Sequence, residues 1–180
     1  SVRIEGHKVK LPKVGWVKLC QHRPLPENSI IKTVTISKTP SGKYYISMLV
    51  EYENQILPVI PKTFLGLDFV MHGLYVASDE EDAEYPDFLR TAEKRLAKAQ
   101  RKLSQKQKGS HNREKQRLRV AILHEKVANQ RQDFLHKKAR YLADRYDVIG
   151  IEDISVKAMA KRKKGGKFSF GKSVADNGWN

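Results

Sequence analysis

The spacing of apolar positions changes twice along this chain, and each change predicts a different kind of element. "WVKLCQ" at 16–21, "IIKTVTISK" at 30–38 and "KYYISMLVEYE" at 43–53 alternate apolar and polar residues, with the turn signal "TPSG" before the last. Alternation at a period of two is the pattern of half-buried strands, so a small antiparallel β unit is expected over 1–55. "ILPVIPK" at 56–62 carries two prolines, which cannot donate to a central ladder, and predicts a linker at a domain boundary. "FLGLDF" and "GLYVAS" then read as a hairpin through "VMHG", the first run as a strand buried on both faces.

From Phe88 the period lengthens. Leu89, Ala92, Leu96, Ala99 and Leu103 recur at three and four, predicting an amphipathic helix over 88–107 that "KGS" at 108–110 breaks. A second helix is expected over 111–145. Val120, Val127, Phe134 and Tyr141 recur there at sevens beside Ala121, Ala128, Leu135 and Leu142. At about 1.5 Å per residue it is roughly 50 Å long. Two adjacent columns at that spacing form one stripe, suited to an antiparallel helical hairpin. "DVIGIEDIS" at 147–155 predicts one more apolar strand, and "KAMAKRKKGGKFSFGKS" a loop. There is no internal repeat.

Charge alters the picture. The formal net charge is +15, distributed unevenly: residues 63–89 carry seven acids and no base, and 90–145 carry eighteen bases against five acids. A surplus of that size points to a polyanionic partner, nucleic acid before membrane or acidic protein. Cys20 is the single cysteine, which excludes an internal disulfide and a cysteine-based zinc ribbon within these residues and suits a reducing compartment. No apolar run has a membrane span's length, and the N-terminus lacks a signal-peptide layout, so a cytoplasmic protein is expected. His7, His22, His72, His111, His124 and His136 show no metal-ligand spacing.

Two carboxylates stand out. Asp68 closes one apolar run and Glu152 another, with the helices between them as a crossover. If the two strands are parallel neighbours, their C-terminal ends lie side by side and the acids meet. Such a pair suits magnesium, a hard cation bound through one or two carboxylates plus phosphate oxygens. Two ions about 3.5 to 4 Å apart would activate a water and stabilise the leaving oxygen of a phosphodiester. A capping Asp and a solvated Glu are the bland readings of the same residues. Asp153, on the other side of its strand, reads as a turn or capping residue.

"FLGLDF…GLYVAS", the run "YPDFLRTAEKRLAKAQRKLSQKQKGSHNREKQRLRVAILHEKVANQRQDFLHKKARYLADRYDVIGIEDISVKAM" and the close "SVADNGW" resemble the transposon-encoded TnpB family, relatives of compact type V CRISPR effectors. The resemblance covers 56–180 and is most specific over 86–159; the β segment before it resembles that family's wedge domain less sharply. It implies an α/β fold: an RNase H-like (RuvC) mixed sheet interrupted by a long basic helical hairpin at about 88–145, after a partial wedge-like β domain at 1–55. The implied activity is RNA-guided DNA cleavage, with a guide RNA and target DNA as partners and two Mg2+ ions as cofactor. The family's first acid matches "GLD", giving Asp68, and its second matches "IED", giving Glu152, as catalytic and metal-binding residues.

Two departures matter. Val70 follows the Asp-bearing segment where the family often has glycine. The family's third acid and four-cysteine zinc element lie beyond its "SxxDxxW" helix, in which Asp176 here reads as a cap. A piece of a longer chain is therefore expected, one that binds metal poorly and turns over slowly or not at all. Arg95, Lys98, Arg101, Lys102, Arg113, Arg117 and Arg131 are, as a face, the expected contacts to a guide–target heteroduplex recognised by shape and backbone. Trp16, Tyr44 and Tyr45 could stack on bases, though strand aromatics are more often core. The rival readings are a non-catalytic nucleic-acid-binding regulator or transposition accessory, and a two-helix scaffold basic for solubility alone.

Overall fold

The computed structural model describes residues 2–53, Pro58, 60–70 and 73–154. Part of the predicted linker, the predicted turn at Met71 and His72, the basic tail and Asp176 lie outside the described residues. The chain parts into two units between Pro58 and Val59.

In the first unit β1 (Arg3–Glu5), β2 (Lys8–Leu11) and β3 (Gly15–Lys18) form an antiparallel sheet in that order. Neither of the first two strands was expected from periodicity. Each is too short to display it, and the turn that joins them rests on Gly6 at a φ of 53°, the left-handed region glycine enters freely. β4 (Ile30–Lys38) has the span its pattern predicts and pairs antiparallel with β5 (Tyr44–Glu51), with a register irregularity between Ile31 and Thr33. "WVKLCQ" contributes strand only as far as Lys18, and Cys20 is an exposed free thiol.

In the second unit β6 (Phe64–Asp68) is the central strand, with β7 (Val76–Ala77) antiparallel on one side and β8 (Val148–Ile151) parallel on the other. A parallel neighbour demands a long crossover. The two helices supply it: α1 (Phe88–Ser104) and α2 (His111–Ala143). Contacts run in opposite senses along them, Arg113 reaching Leu103, Gln116 reaching Ala99 and Phe134 reaching Phe88, so the hairpin is antiparallel. Ser110 starts α2 by accepting from the Arg113 N–H at 3.2 Å, and Arg113 Nη1 donates to the Leu103 and Lys106 carbonyls at 2.9 Å, bracing the C-terminal end of α1.

The predicted stripe on α2 serves two partners rather than one. Gln116 and Val127 are buried toward α1, with the Gln116 side chain donating to the Ala99 carbonyl at 3.0 Å. Farther along, Leu142 is buried with Leu65, Leu74, Tyr75, Ala77 and Ala83, and Phe134, Leu135, Leu67 and Ile149 pack around them. This second half lies on the sheet. Tyr85, Phe88 and Phe134 meet edge to face between the two regions, with centroids 5.4 to 6.0 Å apart.

The acidic segment after β7 is bound to the basic end of α2. Tyr141 donates to Glu81 at 2.8 Å, Arg145 pairs with the same carboxylate at 3.0 Å, and Tyr146 donates to Asp79. That last bond holds the Asp79 carboxyl below the usual range, helped by the Glu81 backbone N–H.

Sequence reasoning placed "FLGLDF" in a strand buried on both faces, and here the structure differs. Leu65 is buried, but Phe64, on the opposite face, is 64% exposed, and Val148 beside it and Val76 beside Asp68 are exposed to a lesser degree. Within this unit α2 packs on the Leu65 face, and the Phe64 face is exposed.

Candidate active site

Strand alternation decides which residues share the open face. Leu65 and Leu67 point to the helices, so Phe64, Gly66 and Asp68 point away from them. Parallel pairing of Phe64 with Val148, Leu65 with Ile149, Gly66 with Gly150 and Leu67 with Ile151 carries this parity across to β8. One further step in the same register sets Asp68 beside Glu152, both on the open face at the C-terminal ends of their strands.

The two carboxylates interact. Glu152 is pushed above its ordinary range, first by a hydrogen bond with Asp68 and then by the negative charge of Asp68. A proton held between two oxygens is favoured over two bare charges, which is the behaviour of acids that share a site. Gly66 and Gly150, paired in the register just before them, leave the floor of the face without side chains. A shallow open cavity of about 440 Å3 lies there, lined by Asp68, Val76, Ser78 and both glycines among others. Ser78 Oγ accepts from the Gly66 N–H at 3.0 Å, which ties β7 to the floor.

A carboxylate at the other end of the two strands braces this register. Asp147 Oδ2 accepts from the backbone N–H groups of Lys62 and Thr63 at 2.8 and 3.0 Å and from the Thr63 hydroxyl at 3.0 Å. These three donors hold its carboxyl below the usual range, the Lys62 N–H most strongly. In return the Asp147 N–H donates to Thr63 Oγ1 at 2.9 Å. The clamp sits at the entrance of both strands, and the acids sit at the exit. No local pattern marks Asp147, because its partners are brought to it only by strand pairing.

Two carboxylates side by side suit a hard divalent cation with oxygen ligands. Among the described residues no group of three or more His, Cys, Asp or Glu is placed to hold a metal ion. Asp68 and Glu152 would supply two oxygen ligands to such an ion.

The expected basic contacts fall into three kinds. Arg95, Lys98, Arg101 and Lys102 are exposed along α1, Arg95 also lining a cavity of about 350 Å3 with Lys126 and Gln130 of α2. Arg117 is exposed and paired with Glu114 at 2.8 Å. Arg113 and Arg131 are half-buried, and the Arg113 guanidinium is committed to the end of α1. Arg113 is therefore a capping side chain before it is a surface cation.

Comparison with known proteins agrees with the motifs. The family model OrfB_IS605, described as "Probable transposase", matches residues 47–163. The chain is a TnpB-family protein. A relative from Escherichia coli (strain K12), named "Putative RNA-guided DNA endonuclease InsQ", is 34% identical over 186 aligned positions, covering 97% of this chain and 45% of the relative. Another, from Streptomyces pristinaespiralis and named "Putative RNA-guided DNA endonuclease", is 36% identical over 158 positions, covering 87% of this chain and 38% of the relative. This TnpB-family chain thus spans less than half the length of these curated relatives. No helix among its described residues is long and apolar enough to cross a membrane.

Proposed function

We propose that the chain carries part of the catalytic centre of an RNA-guided DNA endonuclease, built on an RNase H-like (RuvC) sheet, with Asp68 and Glu152 as two of its metal ligands. The observation that carries this reading is the side-by-side placement of those carboxylates at the open ends of parallel strands, where Asp68 raises the Glu152 pKa. Bound there, Mg2+ ions would supply an activated water and charge stabilisation at the leaving oxygen of a phosphodiester. Asp68 and Glu152 supply anionic oxygens held at a fixed spacing, and the Gly66–Gly150 floor leaves room for a sugar–phosphate backbone to approach them. The exposed cations of α1 are the surface on which guide RNA and target DNA lie, neutralising phosphates without reading bases. On this reading residues 1–55 are a partial wedge-like domain and 63–180 a partial nuclease domain.

Titration of the chain with Mn2+, followed by its paramagnetic resonance signal, tests the reading. Binding that Asp68→Asn and Glu152→Gln each abolish is expected. Equal Mn2+ affinity in wild type and both variants would remove the metal site and leave a nucleic-acid-binding protein without cleavage, the reading that the basic helices support on their own. In the longer protein, Asp68→Ala should abolish DNA cutting while nucleic-acid binding stays nearly intact.

A further inference from the structure

The β1–β3 sheet has two chemically distinct faces. Its register aligns Ile4, Val9 and Val17 on one, where Val9 is 3% exposed. On the other it aligns Arg3, Lys10 and Trp16 in one row and Glu5, Lys8 and Lys18 in the next. All six of these residues are exposed, Trp16 by 43%, and the Lys10 ammonium stands 5.9 Å from the centre of its ring. Glu5, His7, Lys8, Trp16 and Lys18 line a cavity of about 630 Å3.

A tryptophan that served stability would lie on the Val9 side. Trp16 lies instead on the opposite face, 43% exposed, among four cations and one carboxylate. We propose that this face is a stacking platform for an unpaired nucleotide of a single-stranded nucleic acid, the base lying on the Trp16 ring and the flanking phosphates on Lys8 and Lys18. Base–aromatic stacking beside a cationic backbone track is how sequence-tolerant single-strand binding is achieved. Charge selects the occupant: an acidic polymer is attracted to this face, and a flat π surface offers a base what it offers no phosphate. A lipid surface fits less well, because the paired rows around the ring carry Arg3, Lys10, Glu5, Lys8 and Lys18 where insertion needs aliphatic side chains. The proposal goes beyond the nuclease reading and needs neither Asp68 nor Glu152.

Sequence assigns the chain two tryptophans, Trp16 and Trp179. In a Trp179→Phe chain, Trp16 emission should therefore report its own surroundings. Saturable quenching by a twelve-nucleotide RNA or DNA single strand, and little by a blunt duplex of the same length, is expected. Trp16→Ala should weaken single-strand affinity by about five- to a hundredfold with the salt dependence unchanged. Trp16→Phe should recover most of the loss. Lys8→Ala with Lys18→Ala should instead flatten the slope of log affinity against log salt by about 1.4, at about 0.7 per phosphate contact on single strands. Unchanged Trp16 emission on saturation, or equal loss of single-strand and duplex affinity in Trp16→Ala, would overturn the platform. Loss of binding to phosphatidylserine vesicles with oligonucleotide affinity intact would assign the face to a membrane and overturn it too. Should Trp16→Ala fail to fold, the emission experiment and the lysine pair still decide.

Discussion

Asp147 and Thr63 hold each other in both directions across the β6–β8 pair. The carboxylate accepts from the Thr63 N–H and hydroxyl at 3.0 Å each, and the Asp147 N–H donates back to the hydroxyl at 2.9 Å. Because side chains alternate along a strand, a slip of one residue would turn Asp68 or Glu152 to the helix-covered side. The clamp at one end of the strands thus supports the register on which the placement at the other end depends.

Asp147→Ala should lower the thermal midpoint and, on the proposed metal site, weaken Mn2+ binding by the distant Asp68–Glu152 pair. The wild-type clamp also has a pH signature. Its carboxyl lies below the ordinary 3.8, so its contribution is complete above that value and is lost as pH falls through the lower folded pKa. Acid unfolding followed by circular dichroism should show a shallower loss in the variant. An identical acid limb would mean that Asp147 does not stabilise the fold through its charge.

The carboxylate pair carries the opposite sign. Glu152 is raised above its ordinary 4.5, so its contribution is greatest below that value and declines as pH rises through the folded pKa, where two charges face each other. At neutral pH without divalent ions, Asp68→Asn should therefore raise the thermal midpoint. On the proposed metal site, millimolar Mg2+ or Mn2+ should shift the wild-type midpoint upward and leave that of the same variant unchanged. A midpoint lowered by Asp68→Asn in a metal chelator would contradict the proximity of the two groups.

Arg113 and the exposed cations of α1 should separate cleanly. Arg113→Ala removes two charge-assisted bonds to the end of α1 and should cost about 1–3 kcal/mol in urea unfolding. Lys98→Ala and Arg101→Ala should each change stability by less than about 0.5 kcal/mol. If both contact phosphate, each should reduce the salt slope of duplex binding by about 0.9.

Leu142 is 8% exposed in the cluster that joins α2 to the sheet. Leu142→Ala should cost about 2–5 kcal/mol. Leu118, 41% exposed on the same helix, should lose far less on the same substitution, a contrast measurable in one set of denaturant curves.

Periodicity by itself determined both helices, their break at 108–110, the span of β4 and the presence of strands around Asp68 and Glu152, because these follow from repeats within one segment. Motif and charge determined the family and the basic character of the hairpin. Tertiary structure alone decided that α2 divides its apolar stripe between a helix and a sheet, that β6 is covered on one face, and that Arg113 caps a neighbouring helix. It also decided the site. Asp68 and Glu152 meet because β6 and β8 pair in a parallel register that the Asp147–Thr63 contacts brace, and Trp16 lies on the opposite face from Val9 because of its register with β2. Such relations depend on which segments pair and in what register, which no single stretch of sequence encodes.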